Sequence, residues 1–292
     1  MILTCVFLCA ACHPGNKEAI ALRKECDAGS AAACSKLGIK LLKGEYVLRD
    51  TRRGAELLRT ACDGSVAEGC TRLGVLYQDA RGVERDSARG RMLLEKGCSG
   101  GDMEGCSRLG ILHHQGKGVT RDMGRAISLY QQSCDGGYQT GCARLGELYE
   151  QGDGVTQDKS RASALFQHAC DAKDARGCVG VGRLYIDRTL TAPNDSAVAM
   201  LFDRACDDGE PTGCFELAKL HETGVNVAQE LWRASYLYRQ ACEGGVGEAC
   251  WRLAAMYERG AGVRRNPEEV TANRRRACQL GYAAACPVPK GP

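Results

Sequence analysis

The cysteines are the most reactive side chains of this sequence, and most of them are regularly spaced. Of its 19 cysteines, Cys5, Cys9 and Cys12 lie near the start, and the other 16 fall into pairs. Partners within a pair are 8 residues apart, and successive pairs are 36 residues apart without an insertion or deletion. The pairs are Cys26 and Cys34, Cys62 and Cys70, Cys98 and Cys106, Cys134 and Cys142, Cys170 and Cys178, Cys206 and Cys214, Cys242 and Cys250, and Cys278 and Cys286. Structural zinc prefers cysteines separated by about two to four residues, and no repeat has that spacing, so no metal or other cofactor is predicted.

The eight-residue spacing also tests whether the partners can be bridged. On one unbroken helix the Cα atoms of Cys134 and Cys142 would lie about 12 Å apart, whereas a disulfide needs about 4.4 to 6.8 Å. The chain therefore has to turn between them, and residues 135–137, Asp-Gly-Gly, are typical of a turn. A bridge between Cys70 and Cys98, across the open end of one helix pair, would also be within reach. The turn residues favour the short pairing.

So many paired cysteines indicate an oxidising compartment. The predicted location is periplasmic, outer-membrane-anchored or extracellular, in a bacterium. Aromatic residues make up only 5% of the chain, which leaves little aromatic packing to stabilise a core. Each short bridge contributes about 2.5 kcal/mol in the chain-entropy treatment, so the bridges can compensate for the sparse aromatic packing.

The 36-residue register extends to other residues and predicts two helices in each repeat. Counted from the second cysteine of a pair, position +3 is leucine or valine, +4 is glycine or alanine, and +7 is most often tyrosine. Apolar or small residues at 0, +3, +4 and +7 form one face of a helix, here named helix A. Ala126, Leu129 and Tyr130 have helical spacing again and predict a second helix, helix B, before the next pair. A fixed period of this length is typical of a solenoid, in which stacked helix pairs share a continuous core.

Local signals place the ends of these helices. Glycines such as Gly116 and Gly118 follow helix A and can end it in the left-handed conformation. Position +16 carries the residue types preferred as helix N-caps, and there they begin helix B. These residues are Asp50, Asp86, Asp122, Asp158, Asn194 and Asn266. Glu230 is the exception. In the repeat that contains Asn194, Arg188 and Leu190 replace both loop glycines, which predicts the weakest repeat and a local bend.

Three motifs resemble a known repeat. Residues 145–149 read Leu-Gly-Glu-Leu-Tyr, residues 152–155 read Gly-Asp-Gly-Val, and residues 234–242 read Ala-Ser-Tyr-Leu-Tyr-Arg-Gln-Ala-Cys. They resemble the Sel1-like repeat, and one cysteine pair per 36 residues is similar to the subgroup of the Helicobacter cysteine-rich proteins. Over residues 18–286 the resemblance implies an all-α fold: a right-handed α/α superhelical solenoid related to tetratricopeptide repeats, linked by short-loop disulfides. A fold does not by itself imply an activity.

The two ends of the chain differ from the repeats. Residues 1–12 resemble a lipoprotein-type signal segment, in which cleavage before Cys12 would leave that cysteine as the lipidated N-terminus. Sixteen cysteines would then remain for pairing. The alternative is a frayed N-terminus with three free thiols. The solenoid is expected over residues 13–286, as about seven complete repeats preceded by a half-repeat that caps the first, and residues 287–292 form a tail.

No catalytic residue is predicted. Some members of the cysteine-rich subgroup are named as β-lactamases or penicillin-binding proteins, so a slow β-lactam-binding protein or β-lactamase-like hydrolase is an alternative by resemblance alone. That chemistry normally needs S-x-x-K with K-T-G, or a zinc-binding histidine cluster, and neither S-x-x-K nor K-T-G occurs. The histidines are His13, His113, His114, His168 and His221. His113 and His221 take the tyrosine position of helix A and are predicted to be packed, whereas His114 is predicted to face solvent.

The candidate binding surface is the face of helix A opposite the core. At about 100° per residue, positions +2 and +5 point away from the core stripe, and in related solenoids helix A lines the concave surface. The predicted groove consists of Lys36, Ile39, Arg72, Val75, Arg108, Ile111 and Arg144. Its guanidinium groups could bind carboxylates, and its aliphatic side chains could bind apolar residues of an extended peptide. The alternative is a solvated face whose arginines pair with neighbouring acids.

Charge and hydropathy restrict the partners. A formal net charge of +3 with interspersed acidic residues lacks the basic footprint of a nucleic-acid-binding protein. No segment of the repeats approaches the roughly 18 apolar residues that cross a membrane, so a membrane would be reached only through an N-terminal lipid. The sequence predicts a monomeric, secreted or envelope-anchored scaffold that binds a protein or peptide. A structural envelope protein that binds cell-wall material is a further alternative.

Overall fold

The structure is a computed structural model that describes residues 14–190 and 196–286. Within these residues the regular structure is entirely helical, as the sequence predicts. The odd-numbered helices are the B helices: α1 (Pro14–Asp27), α3 (Thr51–Asp63), α5 (Ser87–Ser99), α7 (Met123–Asp135), α9 (Lys159–Asp171), α11 (Ala197–Asp207), α13 (Leu231–Glu243) and α15 (Pro267–Gln279). The even-numbered helices are the A helices: α2 (Ala31–Lys43), α4 (Ala67–Asp79), α6 (Met103–Gln115), α8 (Gln139–Gln151), α10 (Ala175–Ile186), α12 (Pro211–Thr223) and α14 (Gly247–Arg259). A short 3-10 turn, Ala283–Ala285, follows α15.

By its internal contacts the chain divides into two compact units, residues 1–141 (unit 1) and residues 142–292 (unit 2). In unit 1 each helix from α1 to α7 packs against the next one along the chain, and α4 also contacts both α2 and α6. In unit 2 consecutive helices from α9 to α15 pack in the same way, and α10 contacts α12. Each unit is therefore a stack of helix pairs, which is the arrangement of an α-solenoid.

Small residues let the two helices of a pair approach closely. A Cβ atom added to Gly110 on α6 would lie 2.7 Å from the ring of Tyr130 on α7, a side chain that is fully buried. In unit 2 the same relation holds between Gly182 and the buried ring of Phe202. The glycine or alanine at position +4 is thus explained by the aromatic ring that packs against it.

The predicted caps begin and end the helices. The aspartates at position +16 in the described residues each accept a hydrogen bond of 2.9 Å from the backbone N–H three residues on; they are Asp50, Asp86, Asp122 and Asp158. Asn266 accepts from the amides of Glu268 and Glu269. Glu230 makes no side-chain cap bond. The A helices end mostly at a glycine in the left-handed region, with φ between 66° and 74°, at Gly44, Gly116, Gly152, Gly224 and Gly260.

The repeat of α10 and α11 departs from this pattern, as predicted. These helices have 12 and 11 residues, whereas every other helix from α2 to α15 has 13. Asp187 follows α10 with φ of −71°, and Arg188 takes the left-handed conformation that glycine takes in other repeats. The predicted cap Asn194 lies outside the described residues. The missing loop glycines give a physical reason for the early end of α10.

The disulfides join neighbouring repeats. Six bridges connect the end of a B helix to the first turn of the next A helix: Cys26–Cys34, Cys62–Cys70, Cys98–Cys106, Cys170–Cys178, Cys206–Cys214 and Cys242–Cys250. A seventh, Cys278–Cys286, joins the end of α15 to the residue after the 3-10 turn. The Cα separations of these seven bridges are 4.5 to 4.8 Å. Cys134 and Cys142 are each disulfide-bonded as well. The pairing present is the short one, and Cys70 bonds Cys62 rather than Cys98.

The predictions for the chain ends fall partly outside the described residues. Cys12 and the signal segment lie there, as does the tail of residues 287–292. The N-terminal half-repeat is α1, whose Ala19 and Leu22 are buried against Leu37 and Leu41 of α2. It covers the core of the first complete repeat, as expected for a capping half-repeat.

Candidate binding surface on the even-numbered helices

The predicted groove residues lie on the A helices. We name the A face of a unit as the surface at positions −2, +2 and +5, counted from the second cysteine. In unit 1 it comprises Lys36, Ile39, Glu68, Arg72, Val75, Glu104, Arg108 and Ile111. Arg144, the last predicted groove residue, belongs to unit 2, where its guanidinium lies 4.0 Å from Glu147.

A glutamate that the sequence analysis did not single out organises the A face of unit 1. The side chain of Glu104 is only 11% exposed, and its oxygens lie 2.9 Å from Arg72 of the preceding A helix and 3.1 Å from Arg108 of its own helix. The two arginine side chains keep 37% and 43% of their surface exposed. These three residues are named the Glu104 cluster. Because two guanidinium groups share one carboxylate, its formal charge is +1.

Tyr138 adds a hydroxyl next to this cluster. Burial and the charge of Glu104 raise the pKa of the Tyr138 hydroxyl, and a hydrogen bond to Thr140 and the charge of Arg108 oppose that shift. The hydroxyl is therefore protonated at neutral pH and can donate a hydrogen bond to a ligand. The two guanidinium groups of the Glu104 cluster, its carboxylate and the hydroxyl of Tyr138 thus lie together within unit 1.

The aliphatic residues of the A face are less exposed than the sequence predicts. Ile39 is half-buried because it packs against the hydrophobic cluster that includes Leu58 and Leu73. Val75 packs in the same way against the cluster of Leu94 and Leu109. Each side chain thus contacts the core of the following repeat. The expectation that position +5 points fully away from the core is wrong, because that position lies at the junction between repeats.

One group of charged residues on and beside the A face of unit 2 is balanced. The guanidinium of Arg176 lies 3.1 Å from Glu147 and 2.9 Å from Glu210. Burial alone would lower the pKa of Arg176, but these two carboxylates raise it above its usual value. Together with Arg144, the group contains two arginines and two glutamates. Its formal charge is zero, in contrast to the Glu104 cluster.

A cavity of about 240 Å³ at the C-terminal end of unit 2 is absent from the sequence predictions. It is lined by Glu222, Glu248, Trp251, Arg252, Ala255, Arg259 and Tyr282. The guanidinium of Arg252 lies 3.3 Å from Glu222 and 2.9 Å from Glu248. The indole of Trp251 contacts the ring of Tyr282. Trp251 is the available sequence signal, because the same position is serine, threonine or alanine in the first four repeats.

His113 and His221 are packed as predicted, whereas His114 differs from its prediction. His221 is buried, and His113 is half-buried, so both are packed at the tyrosine position of an A helix. Burial, followed by the charge of Arg125, lowers the pKa of His113 and favours its neutral form. The prediction that His114 faces solvent is wrong. Its ring meets the ring of Tyr130 edge-on, with centroids 6.3 Å apart, because the tyrosine of the next helix reaches α6 at this point.

A serine motif in the sequence does not form a catalytic site. Residues 97–101 read Gly-Cys-Ser-Gly-Gly and fit the Gly-x-Ser-x-Gly pattern. A nucleophile elbow requires a turn from a strand into a helix. Here Ser99 is the last residue of α5, and its hydroxyl donates to the carbonyl of Lys96 at 3.1 Å.

The described part of the chain offers neither a metal site nor a membrane span. Over residues 14–190 and 196–286, no three His, Cys, Asp or Glu side chains are grouped so that they could hold a metal ion. Among the helices of the same residues, none is long and apolar enough to cross a membrane.

These features define an α-solenoid of disulfide-linked helix pairs. The Sel1 repeat matches residues 31–66, 67–102, 104–138, 140–174, 211–246 and 247–285, which is more than half of the chain. The chain therefore belongs to the Sel1 repeat family, and its bridge at each repeat marks it as cysteine-rich. The stretch between the fourth and fifth matches is the irregular repeat of α10 and α11.

Two solved structures support the same fold. A Sel1 repeat protein from Oxalobacter formigenes is similar over 74% of this chain and 89% of its own, with 23% identity and a TM-score of 0.62. A protective antigen of uropathogenic Escherichia coli strains, which displays an SLR fold, is similar over 91% of this chain with 24% identity and a TM-score of 0.57. The present chain spans 57% of the length of that antigen. Helicobacter pylori cysteine rich protein B matches 46% of this chain with 26% identity and a TM-score of 0.37. No protein of curated function matches the sequence.

The family gives a general function. Sel1 repeat proteins generally mediate protein–protein interactions, and the family is generally a non-enzymatic scaffold. Disulfide-rich repeats indicate an oxidising, extracytoplasmic compartment.

Proposed function

We propose that this protein is a secreted or envelope-anchored scaffold that binds an acidic, extended segment of a partner protein along the A face of unit 1. The observation that carries the proposal is the Glu104 cluster, in which two half-exposed guanidinium groups share one carboxylate. In unit 2 the group of Arg144, Arg176, Glu147 and Glu210 has as many carboxylates as arginines. An acidic partner therefore has an electrostatic reason to prefer the Glu104 cluster to that group.

The arrangement supports binding of carboxylates rather than mere solvation. Glu104 fixes the positions of Arg72 and Arg108 before a ligand arrives, so less side-chain entropy is lost on binding. A guanidinium has five N–H donors, and the contact with Glu104 leaves several of them available. A carboxylate of a partner can bind these donors in the bidentate geometry that arginine favours.

The repeat spacing suggests the register of the bound segment. Packed helices lie about 8 to 10 Å apart, and an extended chain advances about 3.3 Å per residue. Every third residue of an extended segment would therefore face a successive A helix. The expected motif has Asp or Glu at positions i and i+3, one for Arg72 and one for Arg108. Apolar residues between them can contact the exposed parts of Val75 and Ile111.

The location follows from the cysteines. The bridged pairs support an oxidising compartment, and the proposed lipidation of Cys12 would anchor the chain to an envelope membrane. This anchor remains a prediction on residues outside the described range.

Charge reversal on the A face tests the proposal. The probes are fluorescein-labelled peptides with Asp or Glu at i and i+3, together with scrambled peptides of the same composition. The variant Arg72→Glu with Arg108→Glu should weaken binding of the spaced peptides by at least about tenfold, as expected for loss of two charge-assisted contacts. The control is Arg53→Glu with Arg125→Glu, which makes the same charge change at exposed positions on B helices. Fluorescence anisotropy measures the dissociation constants.

The outcomes are distinct. Loss of binding in the A-face variant alone supports the proposal. Equal loss in both variants would indicate a response to net charge only, and unchanged binding in the A-face variant would refute the groove. Turnover of nitrocefin by the purified chain would favour the β-lactamase alternative. Retention on peptidoglycan without peptide binding would favour the cell-wall alternative.

A further inference from the structure

Two arginines meet one tyrosine in unit 1, away from the A face. Tyr77 is buried, with 6% of its surface exposed, near the end of α4. Its hydroxyl accepts a hydrogen bond of 2.9 Å from the guanidinium of Arg59 on α3. The guanidinium of Arg89 on α5 lies over the ring, 5.1 Å from its centroid. The tyrosine thus holds two cations from two helices beside one another.

These arginines line a cavity with a third one. The cavity has a volume of about 590 Å³ and is bordered by Arg59, Tyr77, Val83, Glu84, Arg85, Asp86, Ser87 and Arg89. Among the residues that the structure describes, no carboxylate lies within 4 Å of any of the three guanidinium groups. Asp86 is engaged as the cap of α5, where it accepts from the Arg89 amide. Three cations without an ion-pair partner therefore border the cavity together with the carboxylates of Glu84 and Asp86, which gives its lining a formal charge of +1.

The combination of both arginines with a tyrosine occurs in one repeat of the sequence. At the position of Arg59, the next repeat has Glu95, which lies 2.6 Å from Arg91. The position of Arg89 is arginine in most repeats and Glu269 in the last. Each contact recurs singly, since Arg161 lies over the ring of Tyr149 and Arg239 donates to the hydroxyl of Tyr257. The feature that distinguishes this site is that two arginines meet at one tyrosine.

From this geometry we infer that Arg59, Arg85 and Arg89 form a binding site for a phosphate monoester or pyrophosphate group. Guanidinium groups match the oxygens of phosphate in a bidentate way. A dianionic group would compensate the two arginines that Tyr77 fixes, and the third can contact the remaining oxygen. The cavity falls within the usual range for small ligands, about 300 to 1,000 Å³. The site lies on the edge formed by the loop before α5 and is independent of the proposed peptide groove.

Calorimetric titration with inorganic pyrophosphate tests the site in the full chain. The variant Arg59→Ala with Arg89→Ala should raise the dissociation constant by at least about tenfold, because each lost charge-assisted contact weakens binding severalfold. The matched control is Arg161→Ala with Arg239→Ala. Arg161 lies over the ring of Tyr149, and Arg239 donates to the hydroxyl of Tyr257, so the control removes the same two kinds of contact elsewhere.

A second arm distinguishes a free phosphate group from a lipid head group. Phosphatidylcholine vesicles with a minority of phosphatidic acid present a phosphate monoester at a surface, and pure phosphatidylcholine vesicles are the comparison. Binding of pyrophosphate, of the phosphatidic acid vesicles, or of both, lost in the Arg59 and Arg89 variant and kept in the control, supports the inference. Absence of both kinds of binding overturns it, as does an equal loss in the two double variants. Circular dichroism of each variant verifies that the helices are intact.

Discussion

Removal of one bridge tests how much the disulfides stabilise this fold. The bridge between Cys62 and Cys70 joins the end of α3 to the first turn of α4, and both cysteines are 1% exposed. Replacing both by alanine keeps the residues that cap and pack the two helices. The change in the free energy of unfolding then reports the constraint of the bridge and the packing of two buried sulfur atoms.

The expected loss has two parts. A closed loop of about nine residues restricts the unfolded chain by about 2.5 kcal/mol at 25 °C. Two buried sulfur atoms leave small cavities, which add about 1 kcal/mol in total. The variant Cys62→Ala with Cys70→Ala should therefore be less stable by about 3.5 kcal/mol.

A second bridge provides the control. Cys206 and Cys214 enclose a loop of the same length, so the chain-entropy part is unchanged. Cys206 is half-exposed, and the packing part of the loss should be smaller. Urea unfolding without reductant, followed by far-ultraviolet circular dichroism and fitted with a nearest-neighbour treatment of the repeats, measures both variants. A loss of less than about 1 kcal/mol for the buried bridge would refute the argument that it constrains the unfolded chain.

Two further predictions concern a cap and a histidine. Asp86→Ala removes the oxygen that accepts from the Arg89 amide and should lower the free energy of unfolding by about 1 kcal/mol. Glu230→Ala, at a cap without a side-chain cap bond, should cost less than half of that in the same urea assay, and equal losses would contradict the capping argument. For His113, burial, followed by the charge of Arg125, lowers the pKa below its usual 6.5. The unfolded chain therefore binds the proton more readily, and stability is lost as the pH falls through that value. The melting temperature should fall less between about pH 7 and pH 5 in His113→Tyr than in the unchanged protein, and parallel curves would exclude His113 as the cause.

The fold could be predicted because its signals are local and repeated. Asp122 caps α7, and Gly116 ends α6, at the positions that the 36-residue period gives. Each signal acts within a few residues, and the period states it several times. The same reasoning identified the irregular repeat, since Arg188 stands where a glycine is expected. For the fold, the three-dimensional structure was needed to choose between two pairings of the cysteines: the one across the turn and the one across the open end of a helix pair.

The candidate site was harder to predict because its contacts join different repeats. On helical spacing alone, Arg72 would pair with Glu68 and Arg108 with Glu104, each four residues away, and both pairs would be neutral. In the structure Arg72 reaches forward to Glu104, while Glu68 accepts a hydrogen bond from Ser35 of the preceding A helix. The sequence shows which charges are present. It does not show that Arg72 and Arg108 share Glu104, which is 32 residues from Arg72 and four from Arg108, because the longer contact depends on the packing between repeats.

Because the residues that determine the fold differ from those on the A face, the two units can have the same fold and prefer different partners. Position +2 carries arginine on two successive A helices of unit 1, Arg72 and Arg108. In unit 2 it carries Arg144, Gly180, Glu216 and Arg252, so no two successive A helices both have arginine there. Glu216 lies 2.7 Å from Lys219. The cysteines on either side keep their register through this reversal of charge. The residues that determine folding and those that would contact a partner therefore vary independently. An acidic segment whose carboxylates are spaced for Arg72 and Arg108 finds no second arginine on the next A helix in unit 2, and the carboxylate of Glu216 repels it.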